Sequence, residues 1–133
     1  MPSCGTQTAA LFISGYRSPP AGYKLDVESW DNSSWTEIAN VNTAHSQGGA
    51  FGIQTAAIIA GGGNEGPGSF ATIEESETWN GTAWTEVADL SQGGQLKGTG
   101  TTTSSLGVGR EPSPSAATEE WTSVATARSV DTS

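Results

Sequence analysis

The sequence predicts an all-β protein, and three observations support this prediction. Its 133 residues include 18 glycines and only 34% apolar residues, a composition poor in helix formers and rich in turn and strand residues. No stretch sustains the 3.6-residue periodicity of an amphipathic helix. Two motifs recur about every 48 residues, and each period contains four candidate strands. Four strands in 40 to 50 residues is the size of one β-propeller blade.

The first motif is a strand of small residues that follows a glycine. Residues 5–11 (GTQTAAL) return 47 residues later as 52–58 (GIQTAAI), and more weakly as 100–106 (GTTTSSL). The motif predicts strands over residues 8–14 and 55–60 that end at glycine. Side chains this small suit the crowded, narrow end of a wedge-shaped blade.

The second motif contains the tryptophans. Residues 28–39 (ESWDNSSWTEIA) return 49 residues later as 77–88 (ETWNGTAWTEVA), and residues 119–125 (EEWTSVA) are a contracted third copy. Two independent motifs that share one period indicate a structural repeat. They divide a single domain, residues 1–133, into repeats of approximately 5–51, 52–99 and 100–133.

Two further strands and a turn lie within the second motif. The turn is predicted at Asn80-Gly81, a typical central pair of a two-residue type I′ hairpin, and Asp31 and Asn80 are expected to serve turn geometry. The predicted strands on either side of the turn are residues 25–30 and 34–38 in the first repeat, and 72–79 and 83–87 in the second. A weaker fourth strand is predicted over residues 45–51 and 92–97.

The order of these motifs resembles the kelch repeat. In kelch blades a glycine pair closes the second strand, an aromatic residue followed by Asp marks the third, and a tryptophan marks the fourth. Gly61 and Gly62 stand at the glycine position, with Ser14-Gly15 in the first repeat and Gly-Val-Gly at 107–109 in the third. The motifs are also similar to the tandem kelch-like repeats of virion proteins from tailed phages, notably marine cyanophages.

The resemblance implies a kelch-like β-propeller repeat protein located in the virion. It implies a viral structural role in a phage tail, a fibre or a capsid decoration, with host attachment through the loops between strands. An alternative function is that of a soluble propeller lectin or protein-interaction module outside a virion. A glycan hydrolase is a third and weaker alternative.

The number of repeats predicts association with other chains. The sequence holds about three blades, whereas propellers have four to eight, and an open arc exposes sheet faces and edges that invite association. We therefore expect a ring completed by homo-oligomerisation or by other virion proteins, unless these residues belong to a longer chain. Because the weak strand is assigned as the fourth of each blade, the chain is predicted to begin inside a blade. The segment from Thr126 would then enter a neighbour's first blade.

Charge and composition exclude several classes of function. The net charge of −9 disfavours binding to nucleic acid or anionic lipid, and the five-residue apolar runs are too short for membrane insertion. The chain has one cysteine, Cys4, and one histidine, His45, so an intrachain disulfide and a zinc site formed by a Cys/His cluster are excluded. The acidic residues Glu74, Glu75, Glu77, Glu119 and Glu120 are expected to form solvated strand faces plus one structural pair per blade, rather than to bind Ca²⁺. We therefore predict a protein that is not an enzyme and has no metal or cofactor.

Two sets of side chains have predicted roles. The recurring tryptophans are expected to pack between blades rather than to stack on sugars; they are Trp30, Trp35, Trp79, Trp84 and Trp121. One acidic residue, Glu28, Glu77 or Glu120, is expected to pair with the basic residue of the Thr-Ala-(His/Arg)-Ser motif, His45 or Arg128. His45 is thus expected to form a hydrogen bond between blades.

The loops that follow the small-residue strands differ in every repeat, as binding loops on a repeated scaffold do. They are the candidate binding surface, with a host cell-surface glycan as the candidate ligand. The side chains predicted to form this surface are Tyr16, Arg17, Tyr23, Lys24, Asn64, Phe70 and Arg110.

Overall fold

The computed structural model describes residues 1–20, 22–64, 71–111, 118–122 and 126–130, with the backbone alone at 110–111 and 126–130. These residues form three antiparallel sheets of four strands each and contain no helix. The first sheet has strands β1 (Ser3–Thr6), β2 (Ala9–Arg17), β3 (Gly22–Trp30) and β4 (Trp35–Ile38). The second has β5 (Gly49–Ile53), β6 (Ala56–Ala60), β7 (Ser76–Trp79) and β8 (Trp84–Val87). The third has β9 (Gln95–Gly100), β10 (Ser104–Glu111), β11 (Thr118–Thr122) and β12 (Thr126–Val130).

The predicted all-β class and the four-stranded antiparallel sheets are confirmed. In every sheet the strands follow one another in chain order, each paired with the next. The sheets are consistent with β-propeller blades, and the three described sheets do not close into a ring.

The predicted position of the weak strand within a sheet was wrong. Strand β5 overlaps the strand predicted over residues 45–51, but it pairs with β6 through Ala50 and Ile59 and so begins the second sheet. Strand β9 likewise pairs with β10 and begins the third sheet. The first sheet begins with β1, which was not predicted and pairs with β2 through Cys4 and Leu11. The strand predicted over residues 8–14 is therefore the second strand of a sheet whose first strand is β1.

The C-terminal strand was also assigned to the wrong partner. Strand β12 pairs with β11 of its own sheet, with Ala127 opposite Trp121. It occupies the place that β4 and β8 have in the other sheets. Because β12 pairs with β11 of its own sheet, the predicted insertion of the segment from Thr126 into a neighbour's first blade is wrong.

The three sheets share one register, which defines equivalent positions. Each sheet has a small residue opposite a tryptophan and, two residues along, a glutamate on the same strand as the tryptophan. The tryptophan pairs are Ala10 with Trp30, Ala57 with Trp79 and Ser105 with Trp121. The glutamate pairs are Phe12 with Glu28, Ile59 with Glu77 and Gly107 with Glu119.

The second sheet lies between the other two, and both of its faces are buried. Side chains alternate between the two faces of a strand, so neighbouring residues of β6 enter different cores. Ile59 packs in one core with Leu11 and Ile13 of the first sheet. Ile58 packs in a second core that contains Trp121 of the third sheet. The outer faces of the first and third sheets have no such cover among the described residues.

Positive φ angles occur at equivalent positions in the three sheets, within β2 and β10 and directly after β6. Gly61 has φ +63°, and a Cβ there would lie 2.6 Å from the Gly94 carbonyl oxygen. The equivalent Gly109 has φ +75°, and the equivalent Ser14 has φ +58°, which is unusual for a residue with a side chain. The Ser14 hydroxyl donates to the Lys24 carbonyl (2.7 Å) and accepts from the His45 N–H (2.8 Å), and these bonds offset the conformational cost.

The predicted two-residue type I′ turn at Asn80-Gly81 was wrong. Four residues, Asn80 to Ala83, separate β7 from β8, and only Gly81 among them has a positive φ. The Asn80 side-chain oxygen accepts from the N–H groups of Thr82 and Ala83, both at 2.9 Å. Asp31 makes the same bonds in the first sheet, so the predicted turn role of Asp31 and Asn80 is confirmed.

Candidate functional site

A buried carboxylate joins the second sheet to the segment that leaves the first. One oxygen of Glu77 accepts hydrogen bonds from the backbone N–H (2.9 Å) and the side-chain amide (2.8 Å) of Asn42. The other accepts from the Thr43 N–H at 2.8 Å and lies 3.3 Å from Nε2 of His45. Glu77 and His45 are both fully buried. The predicted pairing of His45 with a glutamate between sheets is therefore present.

The surroundings of this pair suit a structural role. Burial by itself raises the pKa of Glu77, but the contact with His45 and the hydrogen bonds from Asn42 and Thr43 together lower it below its ordinary value. His45 also donates from Nδ1 to the Gly61 carbonyl at 2.9 Å. Both groups are committed to protein partners and have no surface that a substrate could reach.

Glu119 repeats this arrangement between the second and third sheets. It accepts hydrogen bonds from the N–H (3.1 Å) and the hydroxyl of Ser91, in the segment that leaves the second sheet. The sequence-based prediction named Glu120, whereas the residue equivalent to Glu77 is Glu119, which lies two positions before Trp121.

The outer face of the first sheet exposes aromatic side chains; we call it the aromatic face and define it as Phe12, Glu28, Trp30 and Trp35. The rings of Phe12 and Trp35 meet edge to face with centroids 5.0 Å apart, and Trp30 lies 5.1 Å from Trp35. Trp35 is 49% exposed and Phe12 is 36% exposed. A hollow of about 400 Å³ adjoins them.

The outer face of the third sheet exposes aliphatic side chains; we call it the aliphatic face and define it as Leu106 and Val108. These residues are 44% and 47% exposed. They precede and follow Gly107 on β10, just as Leu11 and Ile13 flank Phe12 on β2. Leu11 and Ile13 are fully buried against the second sheet.

The recurring tryptophans thus divide by position. Trp79, Trp84 and Trp121 are buried between sheets, whereas Trp30 is half-buried and Trp35 is exposed. Among the predicted repeat glycines, Gly15 has φ +131° and Gly62 has φ +93°. All three glycines are buried; Gly15 lies within β2, and Gly61 and Gly62 directly follow β6.

Four of the predicted loop residues share one hairpin. Tyr16 is opposite Tyr23 across β2 and β3, with ring centroids 5.2 Å apart. Arg17 and Lys24 join Tyr16 in the lining of a hollow of about 270 Å³, which also has acidic lining residues. Asn64 lies separately after β6, where its N–H donates to the Ala71 carbonyl at 3.2 Å. Phe70 and the side chain of Arg110 lie outside the described residues.

The sequence-based prediction missed three residues of the two outer faces, Phe12, Leu106 and Val108. Phe12 lay in a predicted strand and Leu106 in an aligned motif, but none of the three was singled out. The signal was available, because aligned repeats place Phe12 at the position of Ile59, and Leu106 at that of Leu11 and Ile58. A neighbour-facing position in a terminal repeat needs a partner just as the internal positions do.

The described residues give little support to a reactive cysteine, a metal site or a membrane-spanning helix. Burial raises the pKa of the Cys4 thiol to about 11, so little of the nucleophilic thiolate is present at neutral pH. Within the described ranges, no group of three or more His, Cys, Asp or Glu side chains could hold a metal ion. The same part of the chain contains no helix with the length and apolar character needed to cross a membrane.

Comparison with solved structures supports the fold. The chain matches 86 solved protein chains, among them YjhT, with a TM-score of 0.78 at 14% sequence identity. This match covers 98% of the chain and 44% of YjhT, so the chain spans less than half the length of that protein. No protein-family model matches the sequence, and no curated protein matches it. At this identity the similarity concerns the fold alone.

Proposed function

We propose that the protein is a non-enzymatic, kelch-like β-propeller segment that serves as a structural component of a phage virion, in the tail, a fibre or a capsid decoration. The observation that carries the assembly role is the pair of uncovered outer faces. Their side chains occupy positions that are buried wherever a neighbouring sheet is present. Apolar surface of this kind is typical of an interface.

The YjhT match agrees with an incomplete ring, because the chain covers only 44% of that protein. The absence of an enzymatic role is argued from the only histidine, which is fully buried and occupied by Glu77 and Gly61. The placement in a virion rests on the resemblance of the repeat motifs to those of phage virion proteins.

Host attachment would use the hairpin that carries Tyr16, Arg17, Tyr23 and Lys24. Tyrosine rings offer flat apolar faces to a sugar, and Arg17 and Lys24 on the same hairpin supply charged groups that can orient its hydroxyls. Binding sites commonly combine an apolar lining with a few polar groups in this way.

The virion role is tested by locating the protein in an infected culture. Particles are purified on a density gradient, and the protein is quantified by mass spectrometry against the major capsid protein. We expect a fixed number of copies per particle that resists a high-salt wash. Recovery of the protein in the particle-free fraction alone would contradict the proposal.

The second candidate function is a soluble lectin outside a virion, and the hairpin hollow is the observation that favours it. In that case the isolated protein should bind a glycan array, and Tyr16→Ala should abolish binding. The matched control is Ile53→Ala, since Ile53 is 54% exposed and does not line the hollow. Equal binding by both variants would exclude the hairpin as the site.

A further inference from the structure

We propose that the companion that completes the assembly is a second copy of this chain, bound head to tail. The aliphatic face of each copy packs on the aromatic face of the other, so that two identical interfaces form. This inference rests on the assembly role proposed above and names its partner and its contact residues. Six sheets result, a number within the four to eight blades of known propellers.

The first argument is that the two internal interfaces already show what covers each face. Ile59 and Trp84, which are equivalent to Phe12 and Trp35, are 0% and 7% exposed beneath the first sheet. Ile58 and Ala60, which are equivalent to Leu106 and Val108, are both 0% exposed beneath the third sheet. The two uncovered faces are therefore the two complementary halves of an interface that the chain forms twice within itself.

The second argument comes from polar groups at the same positions. Glu77 binds the segment that leaves the preceding sheet, and Trp84 donates from its indole N–H to the Ala39 carbonyl in that segment at 3.0 Å. The equivalent Glu28 and Trp35 make no such bonds within the described part of the chain. These two groups are therefore open to a partner across the aromatic face.

A third contact identifies an atom on the other side. The side-chain amide of Gln54 donates to the Trp30 carbonyl (2.6 Å) and the Ser29 hydroxyl (2.9 Å) of the first sheet. Gln7 holds the equivalent place before the first sheet, and Trp121 is equivalent to Trp30. The inferred interface therefore brings the Gln7 amide of one copy to the Trp121 carbonyl of the other.

Symmetry explains why two copies suffice. A contact between two different faces is heterologous, and it produces either a closed ring or an open filament. With three sheets in each copy, two contacts close a ring of six sheets and leave neither outer face uncovered.

The test is the mass of the 133-residue chain in solution, measured by sedimentation and native mass spectrometry. We expect twice the chain mass of 13.6 kDa. Phe12→Asp and Leu106→Asp should each restore the single-chain mass, because a buried unpaired carboxylate opposes association. Both sites are exposed within one copy, so an unchanged circular dichroism spectrum is expected. Ile53→Asp, on the sheet whose two faces are already covered, is the matched control and should remain dimeric.

Mixing the two variants distinguishes head-to-tail contact from other dimers. In a mixed pair, the intact aliphatic face of Phe12→Asp meets the intact aromatic face of Leu106→Asp, so one of the two interfaces is normal. We expect the doubled mass to reappear in the mixture at protein concentrations at which each variant alone stays single.

Four results would overturn the inference: a single-chain mass for the unmodified protein, a dimer that survives both substitutions, a mixture that fails to associate at any accessible concentration, or an assembly larger than two copies. The particle experiment above is independent of these results. If the chain is found in particles but is single in solution, the virion role stands and another virion protein is the companion.

Discussion

At the residue scale, the glutamates before the second-motif tryptophans distinguish covered from uncovered positions. Glu77 and Glu28 occupy equivalent places, yet Glu77 is fully buried with donors from Asn42 and Thr43, whereas Glu28 is exposed. The same side chain therefore serves as a structural acceptor at one position and is open to solvent at the other. What differs is the presence of a preceding sheet.

Glu77→Gln should destabilise the fold, because the amide replaces one acceptor oxygen with a donor group beside N–H donors. We expect a loss of about 3 kcal/mol in the free energy of unfolding, measured by urea denaturation. The matched control is Glu28→Gln, which should change the free energy by less than about 0.5 kcal/mol. Both are made in the Leu106→Asp variant, so that association between copies does not contribute. Equal effects would contradict the assigned role of Glu77.

The lowered pKa of Glu77 also sets a pH dependence. Because its pKa in the folded state lies below the ordinary value of 4.5, the folded state favours the carboxylate. Its contribution to stability is present above pH 4.5 and is lost as the pH falls through the folded-state pKa. We expect urea midpoints to decrease below pH 4.5, and to decrease less steeply in Glu77→Gln. An identical pH profile in the two proteins would show that Glu77 is not the group responsible.

At the scale of the element, the tryptophans show how burial depends on which sheet a strand belongs to. Trp84 begins β8 and is 7% exposed in the core between the first and second sheets, whereas Trp35 begins β4 and is 49% exposed. The two strands have nearly the same sequence, Trp-Thr-Glu-Val and Trp-Thr-Glu-Ile. The local sequence therefore determines that the strand forms. The neighbouring sheet determines how much the burial of its first residue contributes to stability.

Trp84→Ala should cost about 3 to 5 kcal/mol of unfolding free energy, since it removes a large buried side chain and leaves a cavity. Trp35→Ala, at the equivalent position, should cost less than about 1 kcal/mol. Chemical denaturation of both substitutions in the Leu106→Asp variant provides the comparison. A large loss for Trp35→Ala would show that the aromatic face contributes to the single chain rather than to association.

The order of strands shows where prediction from sequence succeeds and where it fails. The repeated motifs give the period of the fold, so the strands around Ala57, Trp79 and Trp84 were predicted from sequence. A period does not reveal where a sheet begins, because a repeat can be divided at any point without a change in its length. Strand β1, with the sequence Ser-Cys-Gly-Thr, has no apolar alternation and could not be identified from its own residues.

At the scale of the whole molecule, the arrangement of sheets accounts for much of the candidate site. The loop residues at 16, 17, 23 and 24 were predictable as a group because they are close in sequence. The residues of the aromatic and aliphatic faces could be aligned with their buried equivalents, but the alignment alone does not show which face of a strand a neighbouring sheet covers. Only the order of sheets, with the second between the other two, shows which of three equivalent positions remain uncovered.

The buried carboxylates also affect how the chain would respond to tension. Glu77 and Glu119 each accept hydrogen bonds from the backbone segment that leaves the preceding sheet. Tension between the two ends of the chain would therefore act on both contacts. Neither outer sheet could separate from the second sheet before the hydrogen bonds to its carboxylate break. A component exposed to mechanical stress would gain resistance from these two carboxylates, without any covalent crosslink.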